Sequence, residues 1–267
     1  MIRSHSLTVA AAAALVWLGA QTGYADGWSI FGRHQERGSG QIATETRTVG
    51  DFDRIDLSCS ANLRVSFGDS CRVTVTIDDN LQDNIVTEVT GNRTLMIDSD
   101  GSYTSHHDAL IEITMPTLAY LEVDGSGDVE MDRLKSESLE IELNGSGDVD
   151  FDGSVKDLRI SARGSGQVTA LDLNAEDVKI EIRGSGDVKL RGKATVVDCA
   201  VYGSGDIDAG RLLAEQVGAR IHGSGDISVY AEESFEGGVY GSGDIDLYGN
   251  PADVDRQVAG SGSIRRR

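Results

Sequence analysis

Six carboxylates occupy one position of a recurring pattern, directly after the tripeptide Gly-Ser-Gly. They are Asp128, Asp148, Asp187, Asp206, Asp226 and Asp244, with Gln167 and Ser263 in the two other copies. Carboxylates in a column have two uses. They can accept hydrogen bonds from backbone N–H groups at corners, as Asp commonly does in turns, or they can hold a row of hard cations such as Ca²⁺, which takes carboxylate and carbonyl oxygens. Some partner is required, because like charges about 5 Å apart repel by roughly 1 kcal/mol even in water. A second acidic column, Glu130, Asp150, Asp208 and Asp246, supports the cation reading, but Thr169, Lys189 and Ser228 interrupt it. The Gly-Gly-x-Gly-x-Asp calcium repeat has a spacer before Asp and half this period. Corner capping is therefore the first reading and Ca²⁺ the alternative, with no other cofactor expected.

A second chemistry lies just before the triplet, where Tyr202, His222 and Tyr240 stand in consecutive copies; Tyr230 and Tyr248 form a similar pair. An exposed stripe of rings can stack on sugars or on a partner's side chains, or simply stabilise its own sheet. Catalysis finds no comparable support. A catalytic pair of carboxylates needs environments that separate two pKa values, and near-equivalent Asp residues offer the reverse. Gly-Ser-Gly lacks the spacing of a nucleophile elbow, His106-His107 has no nearby Cys or further His for zinc, and no phosphate loop or dinucleotide fingerprint occurs. The expectation is a non-enzymatic protein without catalytic residues, with a polysaccharide-active enzyme as runner-up and a Ca²⁺-stiffened spacer as third.

The elements that must position these columns follow from the spacing. Triplets begin at Gly125, Gly145, Gly164, Gly184, Gly203, Gly223, Gly241 and Gly260, at intervals of 18 to 20 residues. Such a period marks a solenoid in which each repeat is one turn. Before each triplet apolar residues alternate, as in Leu139, Ile141 and Leu143, and after it they alternate again, as in Val149 and Phe151. Period two means strand. The expected fold is all-β, a single-stranded parallel β-helix of 19–20 residues per turn. Its eight or so turns at roughly 4.8 Å each make a rod on the order of 35 Å long. The length variation is assigned to the polar stretch between the strands. Both triplet glycines fall on the inward parity, so either the interior is too narrow for a Cβ or the chain turns there at positive φ.

The remaining segments are assigned by composition. Residues 1–25, with Arg3, an apolar run from Leu7 to Leu18 and small residues before the cut, read as a secretory signal cleaved after Ala25. Residues 26–45 read as a flexible leader, 46–116 as irregular capping turns, 117–264 as the repeats, and 265–267 as a basic tail that blunts an exposed edge. Cys59 and Cys71 share the inward parity and are candidates for a disulfide, while Cys199 reads as a small core residue. A net charge of -20 and a pI near 4.5 disfavour nucleic acid and anionic membrane surfaces. No later stretch is long enough for a membrane span. The expected location is periplasmic or secreted.

Taken together, Arg47-Thr-Val-Gly-Asp-Phe-Asp-Arg-Ile-Asp-Leu, Ile111-Glu-Ile-Thr-Met-Pro-Thr-Leu and the Gly-Ser-Gly-Asp-Val/Ile repeats resemble the bacterial head GIN domain family, described as auto-transporter adhesins. The resemblance spans about Thr46 to Ile264. It implies a right-handed parallel β-helix exported by bacteria. With the flat sheets and the ring stripe, the first expectation for its role is envelope or surface interaction, with a glycan or protein as partner. Three arginines follow the repeats, which leaves no room for a translocating barrel, so export through the signal segment is the expectation.

Overall fold

The computed structural model describes residues 36–267. The signal segment, its cut after Ala25 and the first half of the leader lie outside the described residues. Strands Val129–Leu143, Val149–Ala162, Val168–Ile182, Val188–Val201, Ile207–Ile221 and Ile227–Val239 follow one another in parallel register. The result is a β-solenoid of about 7 turns. The inward columns anticipated by the alternation are its core: Leu139, Ile141, Leu143, Val149 and their counterparts are all buried. Each such side chain taken from water stabilises by roughly 1.5–3 kcal/mol, and only stacking supplies the cover.

The expected loop between the two strands of a turn is instead continuous ladder with a one-step bulge, between Met131 and Leu134 in the first repeat. Turn length alternates here. In 20-residue turns two residues fill the bulge and an inward leucine follows, namely Leu134, Leu173 and Leu212, all buried. In the 19-residue turns between them the register partner of those leucines is Gly153 or Gly192, at φ +130° and +135°. The lost residue is absorbed by a backbone conformation that L side chains rarely adopt. A Cβ on either glycine would also sit within 2.1 Å of the carbonyl oxygen of the preceding leucine. The structural repeat is therefore two turns, 39 residues from Gly125 to Gly164 and from Gly164 to Gly203.

The core narrows toward the C-terminal end. Along one inward column the residues run Ile141, Ile160, Ile180, Cys199, Ala219, Gly237. Phe235, buried, fills the space that shrinkage leaves, since a Cβ on Gly237 would meet its ring at 2.5 Å.

The N-terminal cap is not a set of irregular turns in chain order. Strand Arg54–Leu57 pairs with Thr94–Ser99 on one side and Tyr120–Val123 on the other, and Asn62–Phe67 lies between Leu110–Met115 and the start of Val129–Leu143. The turn made by residues 54–67 is thus sandwiched between two later ones. Beyond it, Arg72–Asp78 pairs antiparallel with Leu110–Met115, and Ile85–Thr90 pairs antiparallel with Thr94–Ser99. The leader to residue 45 is partly structured, against expectation: Ile42–Arg47 forms an antiparallel edge strand on Arg72–Asp78, and Glu36–Arg37 pairs with Tyr103–Thr104. At its base the buried Asp78 carboxylate accepts hydrogen bonds from Gly40 N–H (2.7 Å), Ser105 Oγ–H (2.5 Å) and His106 N–H (3.2 Å). These donors, Ser105 foremost, hold it below the usual carboxylate range.

Cys59, Cys71 and Cys199 are all free. The Cys59–Cys71 bridge does not form because the chain reverses between Phe67 and Arg72, which places Cys71 beside the far end of strand Asn62–Phe67. Cys59 precedes its near end. About six residues of extended strand separate the two, on the order of 20 Å, beyond any disulfide. Cys71 Sγ–H donates to the Phe52 carbonyl instead (3.5 Å). The basic tail is not a free appendage either, because Ile264–Arg266 is a strand paired with Ile245–Gly249.

Candidate binding face

The Gly-Ser-Gly corner is built by close backbone approach. A Cβ on Gly145 would lie 1.9 Å from Gly125 O, and one on Gly147 would lie 2.0 Å from Gly127 O. None of the eight triplets has a positive φ, so stacking distance and not handedness excludes side chains there. The first turn carries a degenerate copy, Cys59-Ser60-Ala61-Asn62, on which Gly125 and Gly127 stack.

Ladder polarity reverses across this corner. Asn144 N–H donates backward to Val123 O (2.9 Å), whereas Val149 N–H donates forward to Gln167 O (2.8 Å). At the reversal an N–H pointing backward faces no carbonyl, and the Asp side chain supplies the acceptor. Asp148 N–H donates to Asp128 Oδ1 (2.9 Å), Asp206 to Asp187 (2.8 Å), Asp226 to Asp206 (2.7 Å) and Asp244 to Asp226 (2.7 Å). Asn62 plays this part for Asp128 (3.1 Å). The column ends on Ser263, whose N–H and Oγ–H both donate to Asp244 Oδ1, and on Arg265, 2.6 Å from Oδ2. These contacts, the Ser263 hydroxyl first, push the Asp244 carboxyl below its ordinary range. Arg267 likewise meets Asp246 of the second acidic column at 3.0 Å. Among the described residues no group of three or more His, Cys, Asp or Glu is arranged to hold a metal ion.

The position before the triplet forms a continuous outward ridge. Asn144 donates to Asp124 (2.8 Å), Arg163 to Asn144 (3.3 Å) and to Glu142 (2.9 Å), and the Arg183 guanidinium lies 5.5 Å from the Tyr202 ring. Then Tyr202, His222 and Tyr240 stack, with centroids 5.0 and 4.9 Å apart and planes within 6° and 13°. Both faces of His222 and one face of each tyrosine are consumed by this stack. What the ridge offers solvent is ring edges, carrying hydroxyl and imidazole nitrogen atoms, together with the outer face of Tyr240, toward Ala259. Tyr202 and Tyr240 are 48% and 41% exposed, so those edges are reachable. Tyr230 and Tyr248 are register partners, but the Tyr248 ring leans over Gly210 instead of forming a stack.

Beside the ridge a cleft of about 580 Å³ is floored by Gly218 and crossed by Arg220. Arg220 bridges Asp198 (3.2 Å) and Glu236 (2.9 Å), and the Glu236 hydrogen bond raises its already high pKa. A Cβ on Gly218 would lie 2.9 Å from Asp198 Oδ1, so a larger residue there would make that carboxylate shift. The sequence reading missed Arg220, Gly218 and the cleft. Their signal was present but weak, a glycine and an arginine at outward positions of a sheet where most turns carry larger or acidic groups.

Among curated proteins none matches the chain. Solved structures do resemble it. A "Putative lipid binding protein" from Parabacteroides distasonis is 29% identical with a TM-score of 0.81, covering 87% of this chain and 99% of its own. A "putative adhesin" from the same organism is 25% identical with a TM-score of 0.82 over 87% and 100%. A "putative adhesin" from Bacteroides fragilis is 28% identical with a TM-score of 0.67 over 86% and 99%. Residues 51–170 and 152–251 each match one family. The chain belongs to the family described as "Putative auto-transporter adhesin, head GIN domain".

Proposed function

We propose that this protein is an exported, non-enzymatic surface-interaction module that grips an envelope or cell-surface glycan or protein with its ridge-and-cleft face. The observation that carries the reading is the stacked ridge of Tyr202, His222 and Tyr240 standing beside an open cleft crossed by Arg220. Rigid rings with polar tips give contact area at low entropic cost, and the turns beneath hold them in fixed spacing. Because their faces are spent on one another, recognition runs through hydrogen bonds to the ring edges and to the cleft's carboxylates. Flat stacking on the whole stripe is excluded. The adhesin descriptions of the family and of two similar structures support a surface role. A lipid ligand, of the kind one similar structure is described as binding, would need an apolar cavity, and here the inward columns are filled by Val, Leu and Ile. Export accords with the N-terminal sequence, and no helix among the described residues is long and apolar enough to cross a membrane.

The test is a glycan array and envelope pull-down on residues 26–267 with the double variant Tyr202→Ser/Tyr240→Ser. The expected outcome is binding reduced at least tenfold, about 1.4 kcal/mol, by a protein that still melts cooperatively. Unchanged binding with a lower melting temperature would assign the ring stack to stability alone. In this reading the Asp columns are corner caps, so a chelator leaves melting and binding unchanged; a chelator-dependent drop in melting temperature would favour the Ca²⁺-stiffened spacer.

A further inference from the structure

On a different side of the solenoid two cavities, about 450 and 340 Å³, share Asn174 and Ala175 and so form one furrow. It runs along the solenoid axis, across the strands, from Thr117 to Glu232. Its floor is formed by Ser136, Val155, Ala175 and Ala194, and beyond them the exposed Leu213 lines it. The six rung spacings from Thr117 to Glu232 make the furrow on the order of 30 Å long. One wall is Lys135, Ser154, Asn174 and Lys193, in register. The facing wall includes Glu137, Lys156, Glu176, Thr195, Glu215 and Glu232.

Two properties of these walls bear on the occupant. First, their polar groups are unspent. Lys156 and Glu176 approach at 3.8 Å, but among the described residues the side chains of Lys135, Asn174, Lys193, Thr195, Glu215 and Glu232 make no hydrogen bond or ion pair within the protein. At the ridge, by contrast, Arg220, Asp198, Glu236 and Tyr240 each already hold an internal partner, although the carboxylates and the tyrosine hydroxyl keep further acceptor sites. Second, their charges nearly cancel, with three lysines and four glutamates over the two walls, although the whole chain carries -20. An ionic ligand gains nothing here. A peptide strand gains little as well, since β-augmentation requires a free sheet edge and every backbone segment of the furrow is paired with a turn on each side. What fits is a long uncharged chain that presents hydroxyls to both walls and a C–H face to a methyl-lined floor, repeating close to the rung spacing.

We infer that the furrow is a second binding site, for a linear neutral polysaccharide of β-linked pyranose units lying along the solenoid axis with about one sugar per turn. This does not depend on the ridge. The test is calorimetric titration of the intact chain with soluble β-1,4-linked oligosaccharides of increasing length. Affinity is expected to rise at least tenfold from the disaccharide to chains of about six sugars, then level off where the furrow ends. Asn174→Trp, on the exposed wall, plugs the furrow without touching the core and is expected to lower hexasaccharide affinity at least tenfold with melting unchanged. Tyr202→Ser/Tyr240→Ser retains that affinity, so failure of the ridge reading and failure of this one are separable. The inference is overturned if none of the oligosaccharides binds, if affinity is independent of length, if Asn174→Trp has no effect, or if an extended peptide competes more tightly than the sugars.

Discussion

At the scale of single residues, the triplet and its Asp are one device for turning a corner between sheets whose hydrogen bonds point opposite ways. Glycine is fixed by the carbonyl of the turn before it, and Asp by the orphaned N–H of the turn after it. Gly166→Ala puts a Cβ 2.0 Å from Gly147 O and, being flanked by paired turns that cannot shift independently, should cost about 3 kcal/mol. For a domain of this size that lowers the melting temperature by roughly 6–12 °C. Asp187→Ala removes only the acceptor for Asp206 N–H and should cost about 1 kcal/mol, with Asp187→Asn restoring most of it. Exposed Ser165→Ala should stay within about 0.5 kcal/mol. Thermal melts of the four variants check the order. A loss at Asp187→Asn as large as at Asp187→Ala would mean that charge, and not the acceptor, is what the corner uses. The carboxylate column was visible in the sequence, and so was the choice between capping and cations. The polarity reversal that explains why Asp follows the second glycine without a spacer was not, because it resides in the backbone.

At the scale of the turn, parallel rungs were legible because inward and outward positions keep period two through eight copies of the triplet, and insertions cannot slip that parity without exposing a column. The 20/19 alternation was legible as a number and not as a mechanism. Gly153 and Gly192 look like any loop glycine until their register with Leu134, Leu173 and Leu212 is known. The leucine's own backbone then occupies the place where a side chain on the next turn's glycine would stand. Leu134→Ala should behave as a core deletion, costing about 2–5 kcal/mol. Gly153→Ala should cost at least as much as Gly166→Ala, since it meets both a positive φ and a carbonyl at 2.1 Å. Denaturant midpoints of the three variants decide this, and a mild Gly153→Ala would show that the 19-residue turn relaxes into a different bulge. The cap was illegible for a related reason. Alternation in Ile55 to Phe67 and in Val73 to Ile77 is the same whether strands run parallel or antiparallel, and nothing local says that residues 54–67 are inserted between two later turns. The Cys59–Cys71 proposal failed on that ambiguity, since inward parity alone does not say at which end of the strand a side chain stands.

At the scale of the described fold, stability is a chain of nearest-neighbour interfaces, so the two ends decide where opening begins. They are closed by different physics. At the C-terminal end Phe235 roofs a tapering core under a last rung that is mostly exposed, and Phe235→Ala should remove about 3–5 kcal/mol while releasing the strands from Ile245 onward before the rest. At the N-terminal end the closure is polar. Asp78 gathers three donors from residues 40, 105 and 106, and its carboxyl is held below the ordinary range by them. A depressed folded-state pKa means that its contribution is present above the unfolded value of about 3.9 and lost as pH falls through the folded value. The wild type should therefore be more stable than Asp78→Asn at pH 7, and the gap should close as pH drops below about 4. Because the Asp ladder is common to both proteins, it cancels in the difference. Hydrogen exchange locates the two effects: Phe235→Ala exposes amides of 245–266 first, and Asp78→Asn exposes those of 40–47 and 72–78. Uniform loss of protection in either variant would mean that the solenoid melts as one cooperative block, and that neither end governs its opening.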